Sequence, residues 1–161
     1  MAQLTVSTPE ELMHYQLRTA LTMEADSLAA LGELAKAAKS KDVKDMFRHH
    51  ADETREQIDN LHKVFSLLEL KDTTAPSPST KGISKQAESL IGKSSPKLLD
   101  QVTLSCALGN EHYEISAYHG LIIPATAMGA TEAVTLLRAN LDQEVHTSKE
   151  LQSMLQKVVG V

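Results

Sequence analysis

The stretch Asn110-Glu111-His112-Tyr113-Glu114-Ile115-Ser116-Ala117-Tyr118 decides how the rest of the chain is read. It lies midway along a helix-like segment from Pro96 to about Ile123. Residues three and four apart share a helix face. Leu104, Ala107, Glu111, Glu114, Tyr118 and Leu121 therefore form one stripe, apolar at its ends and carrying two carboxylates in its middle. Carboxylates are rarely buried unless paired or bound to a metal. Either this face is wet, or positive charge sits against it.

Working outward, each remaining helical segment repeats the pattern. Thr8-Pro9-Glu10-Glu11 opens the first with a capping box and a proline suited to the first turn. This helix is expected to run to about Ala38, with Leu17, Leu21, Glu24, Leu28, Leu31 and Ala35 inward. His14 shares that stripe but lies about 15 Å of helix rise from Glu24, too far to join it. A short turn at Lys39-Ser40-Lys41 makes the second helix, about Asp42 to Leu70, an antiparallel neighbour. Its inner stripe reads Met46, His50, Glu53, Gln57, Leu61, Val64 and Leu68. Residues 71–95 form a linker, with prolines gathered before Lys81 and one short amphipathic helix within Gly82 to Gly92. That length permits a crossover, which would set the third long helix parallel to the second. Ser95-Pro96 reads as cap and first position of that helix, and Pro124 should kink or end it. Gly129 reads as a stop. Thr131 is expected to cap the fourth long helix, which runs to about Val158 with Val134, Leu137, Leu141, Glu144, Ser148, Leu151, Leu155 and Val158 inward.

Composition sets the class. The 161 residues suffice for one domain with a real core, and aromatics are only 3%, so that core is aliphatic. Formal charge is −5 with no basic cluster, so nucleic-acid binding gets no electrostatic support. Cys106 is alone, which excludes an intrachain disulfide and fits a reducing compartment. No secretory signal opens the chain, and no segment approaches the roughly 20 apolar residues of a membrane span. The expectation is a cytoplasmic protein with no membrane partner.

Each long helix thus interrupts its apolar stripe near its midpoint: Glu24, then His50 and Glu53, then Glu111 and Glu114, then Glu144. Midpoints of similar helices meet at one height whichever way each runs. Several like charges in a low-dielectric interior would repel strongly unless cations neutralised them. Hard oxygen ligands with a minority of imidazole suit iron or manganese. Inward Glu and His on a four-helix bundle recur as dinuclear sites. Two metal ions are therefore expected, iron first and manganese as the alternative. Tyr118, one turn beyond Glu114, is expected to orient that carboxylate, and Gln57 to do the same for Glu53. Glu53, flanked by His50 and Gln57, is expected to bridge the metals. His49, His62, His112, His119 and His146 fall off the inner stripes, as do Asp142 and Glu150.

The segments Phe47-x-x-His50-x-Asp52-Glu53-Thr54-x-x-Gln57-Ile58, Glu111-His112-Tyr113-Glu114-Ile115-x-x-Tyr118 and Leu141-Asp142-x-Glu144 resemble the YciE/YciF family of ferritin-like proteins. The likeness covers nearly the whole chain and is weakest in the linker. It implies an all-α, ferritin-like four-helix bundle over residues 1–161, a short extra helix in the crossover between helices 2 and 3, bacterial stress association and a dinuclear iron site. By position it carries over Glu24, His50, Glu53, Glu111, Glu114 and Glu144 as metal ligands. One departure stands out: the wider ferritin-like pattern has Glu-x-x-His on the second and fourth helices. Here the second helix has His50-x-x-Glu53, and Glu144 is followed three residues on by Thr147. The expected function is an oxidoreductase acting on dioxygen, peroxide or ferrous iron. The alternatives are a non-enzymatic metal-binding or storage protein and a structural stress protein with a vestigial site. A second apolar stripe, Leu108, Ile115 and Ile122, predicts a homodimer through the third long helix.

Overall fold

The computed structural model describes residues 5–161. Residues 1–4, which the single-domain reading and the reading of the N-terminus also cover, lie outside the described residues. The chain forms helices α1 (Pro9–Ala37), α2 (Lys41–Leu67), α3 (Pro78–Lys93), α4 (Leu99–Ala127) and α5 (Thr131–Val159), with a 3-10 turn at Pro96–Leu98. The four long ones make the bundle. The capping box at the start of α1 is present: Glu11 N donates to Thr8 Oγ1 at 3.1 Å while Thr8 N donates to the Glu11 carboxylate at 3.2 Å. Among the described residues no helix is long and apolar enough to cross a membrane.

Contacts at the helix ends fix the topology. Asp100, in the first turn of α4, accepts from the backbone N–H of Lys39 at 2.6 Å and of Ser40 at 3.1 Å. The start of α4 therefore lies beside the start of α2, and the two run parallel, as the crossover predicts. Lys157 near the end of α5 pairs with Asp42 at the start of α2 at 3.2 Å, so α5 is antiparallel to α2. The linker climbs along α1: Lys71 O meets His14 Nε2 at 2.9 Å, Ala75 N donates to Arg18 O at 3.1 Å, and Thr80 Oγ1 donates to Asp26 Oδ2 at 2.7 Å. The short helix is longer than Gly82–Gly92, starting at Pro78 and packing on α1 and α4.

Three boundary expectations need correction. Pro124 does not end α4, which continues to Ala127. The proline forfeits the N–H bond to the Gly120 carbonyl, and the burial of Leu121, Ile122 and Ala125 in the core holds that stretch helical despite the loss. Thr131 does not cap α5; it is the first helical residue, and the cap position is Ala130, with no side-chain bond. Ser95 likewise makes no side-chain cap. Gly129 does punctuate the α4–α5 turn, at a φ of 73° that favours glycine.

Two apolar clusters fill the bundle, one above and one below its polar waist. One gathers Met13, Leu17, Leu21, Leu61, Phe65, Leu121 and Leu137; the other gathers Leu31, Leu34, Phe47, Leu104 and Leu151. Ile122 is buried in the first cluster and Ile115 packs against it, while Leu108 packs against the second. Of the stripe that suggested a dimer, Ile122 is buried within the chain, while Leu108 and Ile115 stay partly exposed.

Candidate metal centre

The waist between the clusters is where the interrupted stripes meet. Glu24 from α1, His50 from α2, Glu111 and Glu114 from α4 and Glu144 from α5 are each 1% exposed or less. Glu111 and Glu114 sit three apart on α4, so both point inward from one turn. His50 Nε2 lies 3.4 Å from Glu111 Oε2 and 3.8 Å from Glu144 Oε2. One ligand atom from each of these three residues falls within 4.8 Å of the others, a spacing on which one metal ion can be held.

The donor set fits a metal by a further observation. Both nitrogens of His50, both oxygens of Glu114 and Glu144, Glu24 Oε2 and Glu111 Oε2 are buried with no hydrogen-bond partner. Unpaired buried polar atoms are costly, and native structures leave few. Apart from the amides of Gln57 and Gln143, the side chains so left crowd into the waist and are of metal-ligating types. Without a cation the carboxylates are pushed toward the neutral form. Burial raises the Glu24 carboxyl well above the usual range, and the Glu144 charge adds to it, against the opposing hydrogen bond from Tyr118. Glu111 is raised by burial, then by Glu114 and Glu144. Burial also raises Glu114, reinforced by Glu144 and Glu24 and offset in part by the polar groups of Ser27 and Asn110.

Glu53 stands apart from this group. Its side chain keeps 17% of its exposure, its Oε2 accepts from Thr147 Oγ1 at 3.2 Å, and its Oε1 lies 3.8 Å from the exposed His49 ring. The inward face of α2 is rotated from the expected stripe: Phe47 and Thr54 are fully buried where Met46 and Glu53 are only partly so. This puts Glu53 at the α2–α5 edge of the cluster, not at its centre.

Tyr118 does not orient Glu114, as the sequence suggested. Its hydroxyl crosses to α1 and donates to Glu24 Oε1. The side chain is fully buried between helices, so the partner it finds is the carboxylate across the interface, not the one a turn away on its own helix. Gln57 is also fully buried, but its side-chain amide has no hydrogen-bond partner and does not bond Glu53. Its backbone carbonyl instead accepts from Asn140 Nδ2 at 3.1 Å.

Asn140 was missed in the sequence. It also donates to the Tyr118 hydroxyl at 2.9 Å and accepts from Asn60 Nδ2 at 2.9 Å. Its position, four residues before Glu144, placed it on the inner stripe of α5, as Asn60 three residues after Gln57 was on that of α2. The apolar count passed over both. His112, His119 and His146 are exposed, as expected from their off-stripe positions.

Residues 8–160 match the family described as Domain of unknown function (DUF892). Protein YciF of Escherichia coli K12 is 27% identical over 150 residues, spanning 92% of this chain and 90% of its own. Among solved structures, the E. coli stress protein YciF superposes with a TM-score of 0.92 at 25% identity, covering 96% of this chain and 99% of that one. YcfI from Rhodopseudomonas palustris, described as a candidate structural protein, superposes with a TM-score of 0.90 at 29% identity, covering 94% and 98%. A Xanthomonas campestris protein shares the fold at a TM-score of 0.77 and 19% identity, over 94% of both chains. A ferritin-like helical bundle, a buried histidine–carboxylate cluster at its waist and a family match over nearly its full length together assign this chain to the DUF892 family, the YciE/YciF group.

Proposed function

We propose that this chain is a carboxylate-rich dinuclear iron protein of the stress response, which reacts with peroxide or dioxygen as a small-molecule oxidant. The observation that carries it is the set of orphaned ligating atoms on Glu24, His50, Glu111, Glu114 and Glu144. Hard oxygen donors with one imidazole suit iron, with manganese as the alternative. Bound ferrous iron would supply the electrons, one from each of two ions, that with two protons convert one hydrogen peroxide to two waters.

The chain's own residues have separate tasks in this reading. His50, Glu111 and Glu144 provide the closest set of donors. Glu24 offers Oε2, because Oε1 already holds the Tyr118 proton in a hydrogen bond. Thr147 steadies Glu53 at the edge. The two apolar clusters keep bulk water from the waist, which strengthens every electrostatic interaction within it. The description of E. coli YciF as a stress protein supports the physiological setting.

A cytoplasmic location and homodimeric assembly belong to the same proposal. The dimer would form through α4, where Leu108 and Ile115 keep part of their exposure, and sedimentation velocity showing only a monomer would remove it. The competing reading is a structural protein, which the description of YcfI favours. Metal analysis of protein purified without added metal, coupled to a peroxide-consumption assay, separates them. Two irons per chain with peroxide turnover is the expected result. Metal without turnover leaves a binding or storage protein, and absence of both leaves the structural one.

A further inference from the structure

The carboxylates and imidazole at the waist are closed to solvent, except for Glu53, so an incoming molecule needs a way in. The bundle's walls differ from side to side. Between α1, α3 and α4 lies a cavity of about 20 Å³ with Glu111 in its wall. On that measure a single water needs roughly 10–15 Å³, so the space fits one molecule of about that size. Glu111 is 1% exposed and its Oε2, 3.4 Å from His50 Nε2, makes no hydrogen bond, so a buried polar atom belongs to the cavity's own lining residue. Outside it, α1 and α3 enclose a groove of about 910 Å³. Ala30, Leu34, Ser84 and Ala87 line both spaces. A single layer of mostly small side chains therefore separates the groove from the cavity beside Glu111.

We propose that this passage under α3 admits a small uncharged molecule, of the size of hydrogen peroxide or dioxygen, to the Glu111 side of the metal centre, and turns away organic and anionic substrates. The inference rests on the metal-centre reading and names the class of molecule that centre receives. Size excludes larger substrates, since the cavity holds only one small molecule. Charge excludes ions, since Ala30, Leu34 and Ala87 cannot replace a lost hydration shell. Two other surface hollows do not serve: one on the α1–α4 side is lined by residues such as Met23, Tyr113 and Leu121, and one on the α1–α2 side by Leu28, Phe47 and Ala51. Neither includes a member of the cluster. Cations have a different, polar approach at the α2–α5 edge, where Glu53 keeps part of its exposure beside His49. Helix α3 suits a gate because it lies outside the four-helix layer, against α1 and α4.

The test plugs the passage and leaves the metal ligands alone. Ala87→Phe fills the shared layer, and Ser84→Leu fills it in a second, independent way. Gln86→Phe, exposed on α3 and lining neither space, is the control. Each full chain is loaded with ferrous iron without oxygen, and the rate of loading is recorded. Nitric oxide, a small uncharged ligand, is then mixed in and its binding to the iron followed by absorbance. Both plugged variants should bind nitric oxide at least tenfold more slowly than wild type while loading iron at the same rate, and Gln86→Phe should match wild type throughout. Hydrogen peroxide should react at least tenfold faster than tert-butyl hydroperoxide in wild type. Unchanged nitric oxide binding in both plugged variants overturns the passage, as does a wild-type iron site that binds no nitric oxide. If wild type binds nitric oxide through the passage but consumes no peroxide, the passage stands and the oxidoreductase reading falls. A chain that takes up no iron ends both.

Discussion

Tyr118 gives its hydroxyl proton to Glu24 Oε1, and the direction of that bond is set from the backbone carbonyl of Gln57. That carbonyl can only accept, so the Asn140 group facing it must be its NH2. The same NH2 reaches the Tyr118 oxygen at 2.9 Å, while Asn140 Oδ1 accepts from Asn60. The Tyr118 oxygen is thus already an acceptor, and its one proton is left for Glu24. A backbone atom on α2 fixes which oxygen of an α1 carboxylate remains free to ligate.

Tyr118→Phe should therefore cost more than a surface hydroxyl would. It leaves an Asn140 donor and Glu24 Oε1 unpaired in the interior, a loss of about 1–3 kcal/mol. Asn140→Asp tests the direction itself, because an ionised carboxylate at that position can only accept. Tyr118 would then have a competing acceptor, and both Glu24 oxygens could turn to the metal. The visible spectrum of cobalt-substituted protein should change in Asn140→Asp and in Tyr118→Phe. An unchanged spectrum with lowered stability would reduce the chain of bonds to packing.

Chelating the bound metal should lower the melting temperature by several degrees. A ligand that binds only the folded state adds its binding free energy to folding, and here it also relieves the repulsion among Glu24, Glu111 and Glu114. Differential scanning calorimetry before and after stripping checks it. Equal melting of both forms would mean that the carboxylates are stable without a cation.

The same three carboxyls set a pH dependence for the stripped protein. Burial and mutual repulsion raise them all in the folded state. The folded chain therefore holds these protons more tightly than the unfolded one, whose Glu titrates at about 4.3. Their contribution to stability is fully present below that value and is lost as pH rises through the raised folded values. Metal-free protein should melt lower at about pH 8 than at about pH 5, other groups aside. Metal binding competes with the same protons, so the stabilisation by metal should grow over that range. A gap between loaded and stripped melting temperatures that stays constant with pH would contradict this.

Much of the bundle was legible because its pattern is one-dimensional. The stripe Leu104, Ala107, Glu111, Glu114, Tyr118, Leu121 is buried at every position, and one helix's periodicity contains that information. The crossover was legible from linker length alone. What escaped depends on neighbours. The exact rotation of α2, which buries Thr54 and moves Glu53 to an edge, is set by packing against α1 and α5. Tyr118 chose Glu24 over Glu114 because its side chain spans an interface that spacing along α4 cannot describe. Asn140 and Asn60 fall on inner faces, but as neutral amides neither stands out in a search for apolar or charged positions. Pro124 does not stop α4, because the burial of Leu121, Ile122 and Ala125 around it offsets the helix bond it lacks, and that burial depends on neighbouring helices.

The edge position of Glu53 changes what its removal should do. The sequence made it the bridge between two metals, so that its loss would empty the site. In the structure the compact donor group is His50, Glu111 and Glu144, and Glu53 lies outside it, held by Thr147. Glu53→Ala should therefore keep about one metal per chain and lose the other, because the compact group survives. Glu111→Ala should fall below one, because it removes the carboxylate closest to His50 and opens the wall of the cavity under α3. Glu56→Ala, whose carboxylate is exposed and accepts from Gln143 Nε2 at 3.1 Å, should keep the full complement. Alanine is the best helix former, so α2 and α4 should persist in all three, and circular dichroism verifies that. Metal content per chain, measured on the variants side by side, decides the arrangement. If Glu53→Ala empties the site while Glu111→Ala keeps a metal, the centre lies at the α2–α5 edge and the donor group built on His50, Glu111 and Glu144 is wrong.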